Sequence, residues 1–264
     1  MKTILNQYYY LALVTALITI FTYLSIAAEI NYLYALLVGI VTHMTYNFHP
    51  LMQFSLPELN KKIRIRYIFY VIGLLIIGFI TIYNASFYIW VALFIVCVLS
   101  LAYFKKVFGF SLRDHYLTKP LTIGLVFGIC TALIPYLQSG YLIMESLGLT
   151  LGRIFFVTVL AIIFDIGDVN QDQLEKTTTI PERFGVLKTK ILCSSLLGAA
   201  GIIESIGAWN FLIDLEGIVA LCFSYFVTFM AILFSNTKRK SWFFTLFVDG
   251  IMALPLVIFY LIKL

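Results

Sequence analysis

Nine long apolar stretches, separated by short polar connections, dominate the pattern along the chain. They run approximately over residues 8–27, 32–48, 67–83, 87–104, 121–137, 149–164, 191–207, 217–234 and 242–262. A helix needs about 20 mostly apolar residues to cross the hydrocarbon core of a bilayer, and each stretch is near that length. The pattern predicts an all-α, polytopic membrane protein built as a bundle of about nine transmembrane helices. The first stretch outruns the roughly 7–15 apolar residues of a cleaved signal peptide, so it reads as the first span. The spans take most of the chain, which predicts a single transmembrane domain over 1–264 with no separate soluble domain.

The connections alternate in charge. Lys61, Lys62, Arg64 and Arg66 follow the second stretch, and Lys105, Lys106, Arg113 and Lys119 follow the fourth. Lys176, Arg183, Lys188 and Lys190 follow the sixth, and Lys238, Arg239 and Lys240 the eighth. The intervening connections lack Lys and Arg and carry Glu29, Glu145, Asp214 and Glu216. Because Lys and Arg are retained on the cytoplasmic side, the basic set is expected there, with the N-terminus inside. Nine spans satisfy every connection, whereas eight or ten do not.

Composition agrees. Charged residues make up 12% of the chain and hydrophobic ones 62%. A soluble domain carries about 25% charged residues, so an integral membrane protein of the cytoplasmic membrane is expected. The net charge of +5 then serves topology and is no nucleic-acid signal. Nothing in the pattern calls for an obligate protein partner. Cys97, Cys130, Cys193 and Cys222 each lie inside an apolar stretch, without the spacing of a metal site or a disulfide framework.

A few charged residues lie within spans. Arg153 and Glu204 sit toward the outer ends of theirs, where they either pair or reach the interface. Asp249 lies about two turns into the last span, with Pro255 after it to kink that helix.

The richest chemistry is the stretch "FDIGDVNQDQLEKTTTIPERFG", which begins at Phe164 at the end of the sixth span. Asp165, Asp168 and Asp172 stand at i, i+3 and i+7, on one helix face within two turns. Three carboxylates on one stripe repel unless a cation sits among them. Mg²⁺ suits the place, because it takes oxygen ligands and bridges carboxylates to substrate phosphates. The plainer reading is a helix end that reaches water. Lys176, four residues past Asp172, can pair with it or face a phosphate.

These residues carry a resemblance. "DIGDVNQDQLEKTTTIPERFG" resembles the second signature of the UbiA-type intramembrane prenyltransferases, with Asp165, Asp168, Asp172, Thr179, Pro181 and Gly185 in the signature places. "LRDHYLTKPLTIGLVFGICTALIP" resembles that family's fourth loop and fifth helix, with Lys119 as the lysine before the span. The resemblance implies a nine-helix membrane fold that binds an isoprenyl diphosphate, head group at two acid motifs and tail between the helices. It implies Mg²⁺ held by Asp165, Asp168 and Asp172, and diphosphate contacts from Lys119, Lys176 and Arg183. An isoprenyl group would pass to an aromatic or other lipophilic acceptor at the cytoplasmic face, with membrane lipid around the site.

The family's first motif, Asn-Asp-x-x-Asp, is degenerate here. In "THMTYNFHPLMQFSLPELN", Asn47 matches the leading Asn and is expected to orient the head group or a metal-bound water. Phe48 and Leu51 stand where the aspartates belong, and Glu58 is the one acid of this stretch. Three readings follow: a working prenyltransferase with an altered site, a family member that binds isoprenoid or lipid without transfer, and a membrane carrier that uses the acids for cation or proton coupling. The carrier reading sits poorly with acids at one mouth, because transporter sites lie near the bilayer midplane.

Overall fold

The computed structural model describes residues 2–48, 72–73, 78–79, 85–104, 111–175, 178–211 and 213–264. Among them there is no strand; the chain is a helical bundle. The helices are α1 (Lys2–Ser25), α2 (Tyr32–Phe48), α3 (Phe87–Phe104), α4 (Thr118–Gln138), α5 (Ile143–Glu175), α6 (Ile180–Phe184), α7 (Val186–Phe211), α8 (Leu215–Phe234) and α9 (Phe243–Lys263). Six of these, α1, α4, α5, α7, α8 and α9, are long and apolar enough to cross a membrane, and α2 and α3 are shorter apolar helices. Eight of the nine expected spans thus coincide with helices. The expected span 67–83 lies largely outside the described residues.

The boundaries differ most at α5. Hydropathy alone ended this span at residue 164, but the helix runs 33 residues to Glu175 and carries the acid stripe as part of one rod. Asp, Gln and Asn side chains do not break a helix, so polarity marked the membrane boundary and not the helix end. At its start, Glu145 accepts a hydrogen bond from the Leu142 backbone N–H at 2.7 Å, capping an otherwise unpaired donor. Short α6 begins with Pro181 in its first turn, and the Thr179 N–H donates to the Glu182 carboxylate at 3.3 Å.

The connections sort onto two ends. Arg183, after α5, lies over the ring of Tyr116, which precedes α4. Lys190 at the start of α7 donates to the Leu233 carbonyl at 2.8 Å, near the end of α8. The described basic connections therefore share one end of the bundle. At the other end the Asp214 N–H donates to the Ser25 carbonyl at 3.2 Å, joining two of the connections that lack Lys and Arg.

Helix α5 is central, packed along α4 and α7. Its Val159, Ile163 and Ile166 are wholly buried. Close approach to α4 requires Gly124: a Cβ there would sit 2.6 Å from the Ile154 carbonyl oxygen. Several buried hydroxyls are satisfied within their own helix; Thr158, for one, donates to the Ile154 carbonyl at 2.7 Å.

Two helices carry π turns, and each has partners for its displaced carbonyls. In α4 the turn spans Ile129–Leu133, ahead of Pro135. Tyr34 donates to the Cys130 carbonyl at 2.8 Å, and Thr22 to that of Thr131 at 2.7 Å. In α9 the turn spans Phe243–Val248, followed by a 3₁₀ turn at Ile251–Ala253 and by Pro255. Tyr10 donates to the Leu246 carbonyl at 2.9 Å. Without water in the bilayer core, such side-chain donors are what make these breaks tolerable. Pro255 thus marks a real break in α9, and Asp249 stands between its two irregular turns.

Candidate functional site

The acid stripe opens onto a cavity of about 450 Å³. Asp165 and Asp168 line it from α5, and Lys119 from the first turn of α4. Arg113 lines it from the 3₁₀ turn Leu112–Asp114, and Asp249 from α9. Beyond the charged groups the walls are apolar and aromatic, with Val126, Phe127, Val157, Leu160 and Phe164 from α4 and α5. Tyr8, Tyr46 and Tyr103 complete the lining from α1, α2 and α3.

Asp165 is 4% exposed, and its Oδ1 accepts a hydrogen bond from Lys119 Nζ at 2.6 Å. The cation expected among the acids is therefore, in part, a lysine 46 residues away in sequence. A buried carboxylate needs such compensation, because taking an isolated charge out of water is costly. Asp168, one turn on, is exposed. Gly167 between them lets α9 come close: a Cβ there would sit 2.6 Å from the Phe244 ring.

The other expected site residues fall as follows. Asp172 lies on α5 and Asn47 on α2, but their side chains lie outside the described ones, and Lys176 lies outside the described residues altogether. Arg183 is not among the cavity-lining residues; its guanidinium stacks 4.4 Å from the Tyr116 ring centroid. Arg153 and Glu204 are 3% and 4% exposed, so burial and not snorkelling describes them, and Tyr225 donates its hydroxyl to Glu204. Asp249, 7% exposed, joins the cavity. The residues that sequence reasoning left without a site role are Arg113, Asp249, Tyr46 and Tyr103. Only a charge inside an apolar run flagged Asp249. Nothing local distinguishes the two tyrosines among the chain's 17.

Can these residues hold a metal? Among the described residues no three His, Cys, Asp or Glu side chains group closely enough for one ion. Asp165 and Asp168 nevertheless offer hard oxygen donors at the cavity wall. Mg²⁺ is commonly held by one or two carboxylates and completed by substrate phosphates. The donor set fits Mg²⁺ on those terms, together with a phosphate-bearing ligand.

Comparison with known proteins bears on the fold. No family model and no curated protein sequence matches the chain. Among solved structures, one reported under "Structural and mechanistic insights into the biosynthesis of Digeranylgeranylglyceryl phosphate synthase in membranes" superposes with a TM-score of 0.64. The two are 20% identical, and the match covers 100% of each chain. The chain shares the fold of that protein end to end. Its apolar helices and this likeness identify an integral, multi-pass membrane protein.

Proposed function

We infer that the chain is a membrane prenyltransferase, moving an isoprenyl group from an isoprenyl diphosphate to a lipophilic acceptor. The observation that carries this reading is the make-up of one cavity, whose lining combines acids and cations with a larger set of apolar and aromatic side chains. A polar anionic head with a long apolar tail matches both sets. The fold shared with a digeranylgeranylglyceryl phosphate synthase, a UbiA-type enzyme, supports the same reaction class.

The chemistry asked of the chain is modest. The allylic C–O bond breaks, its electron pair leaves with the diphosphate, and the acceptor supplies the pair for the new bond. Lys119 and Arg113 donate charge-assisted hydrogen bonds to diphosphate oxygens and stabilise the charge that grows there. Asp165 holds the Lys119 ammonium at the cavity wall, so it need not reorganise during the reaction. Mg²⁺ bound at Asp165 and Asp168, with Asp172 beyond them, would supply Lewis-acid stabilisation of the leaving group. Val126, Phe127, Leu160 and Phe164 exclude water from the allylic carbon. The basic end of the bundle, where this site opens, is the cytoplasmic face under the positive-inside rule.

A second reading keeps the binding and drops the transfer. It is favoured by the sequence from the end of α2 onward, where Phe48 and Leu51 stand in place of the two aspartates of the first acid motif. One experiment separates the two. Purified protein receives labelled isoprenyl diphosphates with Mg²⁺, and diphosphate release is followed for the wild type and for Asp168→Ala. Release that the substitution lowers by roughly a hundredfold supports the enzyme. Tight binding without release supports the lipid binder. No binding, combined with cation-dependent uptake into vesicles, makes the protein a carrier.

A further inference from the structure

Asp249 is the feature that the diphosphate site does not use. Its carboxylate is more than nine-tenths buried, yet it has no hydrogen bond or ion pair among the described residues. Such a group is expensive in an apolar bundle, and intramembrane carboxylates of this kind are normally paired or functional. The local backbone is built around it: a π turn precedes it, a 3₁₀ turn and Pro255 follow, and Tyr10 holds the displaced Leu246 carbonyl. It lines the same cavity as Asp165 and Asp168.

Its chemistry differs from theirs. Lys119 compensates Asp165, whereas among the described residues the tyrosines Tyr10 and Tyr46 lie within electrostatic reach of Asp249. The three acids do not group closely enough to hold one ion among the described residues. A lone carboxylate repels a diphosphate, so Asp249 is unsuited to the head group. A carboxylate that acts as a base takes a hydrogen-bond donor as its partner, and a hydroxyl group is such a donor.

We propose that Asp249 is the catalytic base on the acceptor side, and that the acceptor substrate presents a hydroxyl group to it. This rests on the prenyltransferase reading above. When the allylic C–O bond breaks and the diphosphate leaves with its electron pair, the acceptor oxygen forms the new C–O bond. Its proton passes to the Asp249 carboxylate and returns to water as the ether product leaves. The step needs no oxidant or reductant. The same cavity thus holds the leaving group at Lys119 and Arg113 and receives the proton at Asp249.

The test uses the full-length protein in detergent with Mg²⁺ and labelled geranylgeranyl diphosphate. Two hydroxyl acceptors are offered: a glycerol ether lipid with one free hydroxyl, and a long-chain phenol. Binding of the diphosphate and transfer are measured for wild type, Asp249→Asn and Asp249→Glu. Asp249→Asn is expected to bind the diphosphate within about twofold of wild type and to lose transfer by a hundredfold or more, in the range of general-base removal. Asp249→Glu, which keeps a carboxylate, is expected to recover part of the rate. The melting midpoint of Asp249→Asn should equal or exceed that of wild type, because the carboxyl has no hydrogen bond or ion pair among the described residues for the amide to lose. Transfer at the wild-type rate by Asp249→Asn overturns the proposal. So does a wild-type protein that binds the diphosphate and prenylates neither hydroxyl acceptor, and so does an Asp249→Asn protein that melts well below wild type, which would make the residue structural. Failure of wild type to bind the diphosphate at all is a separate result, seen before any variant is made, and it refutes the prenyltransferase reading together with this one.

Discussion

Removing Lys119 should cost the protein more than removing the charge it pairs with. The Lys119–Asp165 contact is 2.6 Å, with Asp165 almost wholly buried and the Lys119 side chain 17% exposed. At an effective dielectric of about 20, two unit charges at that distance attract by roughly 6 kcal/mol. Desolvation of both ions offsets most of this, so the pair adds little net stability over a neutral pair of similar shape. Breaking it is a different matter. Lys119→Met removes the cation 2.6 Å from a carboxylate that is only 4% exposed, at a cost of about 3 kcal/mol, the low end for a buried pair because Lys119 is partly solvated. Asp165→Asn leaves an ammonium that can turn toward the cavity mouth, at about 1 kcal/mol, closer to the values for partly exposed pairs. The double variant should lie within about 1 kcal/mol of wild type, giving a coupling of about 3 kcal/mol. Equilibrium unfolding in mixed micelles, with SDS as the denaturant, measures all four corners of the cycle. If the two single effects simply add, to within about 0.5 kcal/mol, the ion pair does not hold α4 against α5 in the membrane-bound protein and the reasoning fails.

Two further outcomes are expected. Gly124→Val places a branched side chain where even a Cβ would lie 2.6 Å from the Ile154 carbonyl oxygen, so α4 must move off α5. Overpacking of this kind costs about 1–3 kcal/mol, and because Lys119 rides on the same helix, the melting midpoint and isoprenyl diphosphate affinity should fall together. Unchanged affinity would separate the helix contact from the site. The topology is tested in a background whose four cysteines are replaced by alanine. Lys238→Cys should react with an impermeant maleimide only in inside-out vesicles and Glu29→Cys only in right-side-out ones; labelling of both from the same side would contradict the positive-inside assignment.

Much of this protein is legible without its structure, because the relevant physics is local. A bilayer demands about 20 apolar residues per span, so hydropathy alone located eight of the helices, while the expected span 67–83 lies largely outside the described residues. Helical periodicity alone put Asp165 and Asp168 on one face, and charge alone sorted the connections into two sets that the described contacts place at opposite ends. What hydropathy missed was also local in origin: α5 continues as a helix past residue 164, because leaving the membrane does not end a helix.

The site itself is decided by contacts between distant segments, and no periodicity encodes those. Lys119 meets Asp165 because Gly124 lets α4 lie close along α5. Arg183, which its sequence neighbourhood suggested for the diphosphate, is instead stacked on Tyr116, a residue 67 positions earlier. Asp249 lines the same cavity as Asp165 and Asp168, and the missing side chain at Gly167 lets the π turn of α9 lie against α5. The sequence alone determined that the chain crosses a membrane many times and carries a stripe of acids at one mouth. Only the tertiary structure decided which cation and which further carboxylate share that cavity, since the partners of a buried charge are set by how closely helices pack, and closeness depends on side chains that are absent as much as on those present.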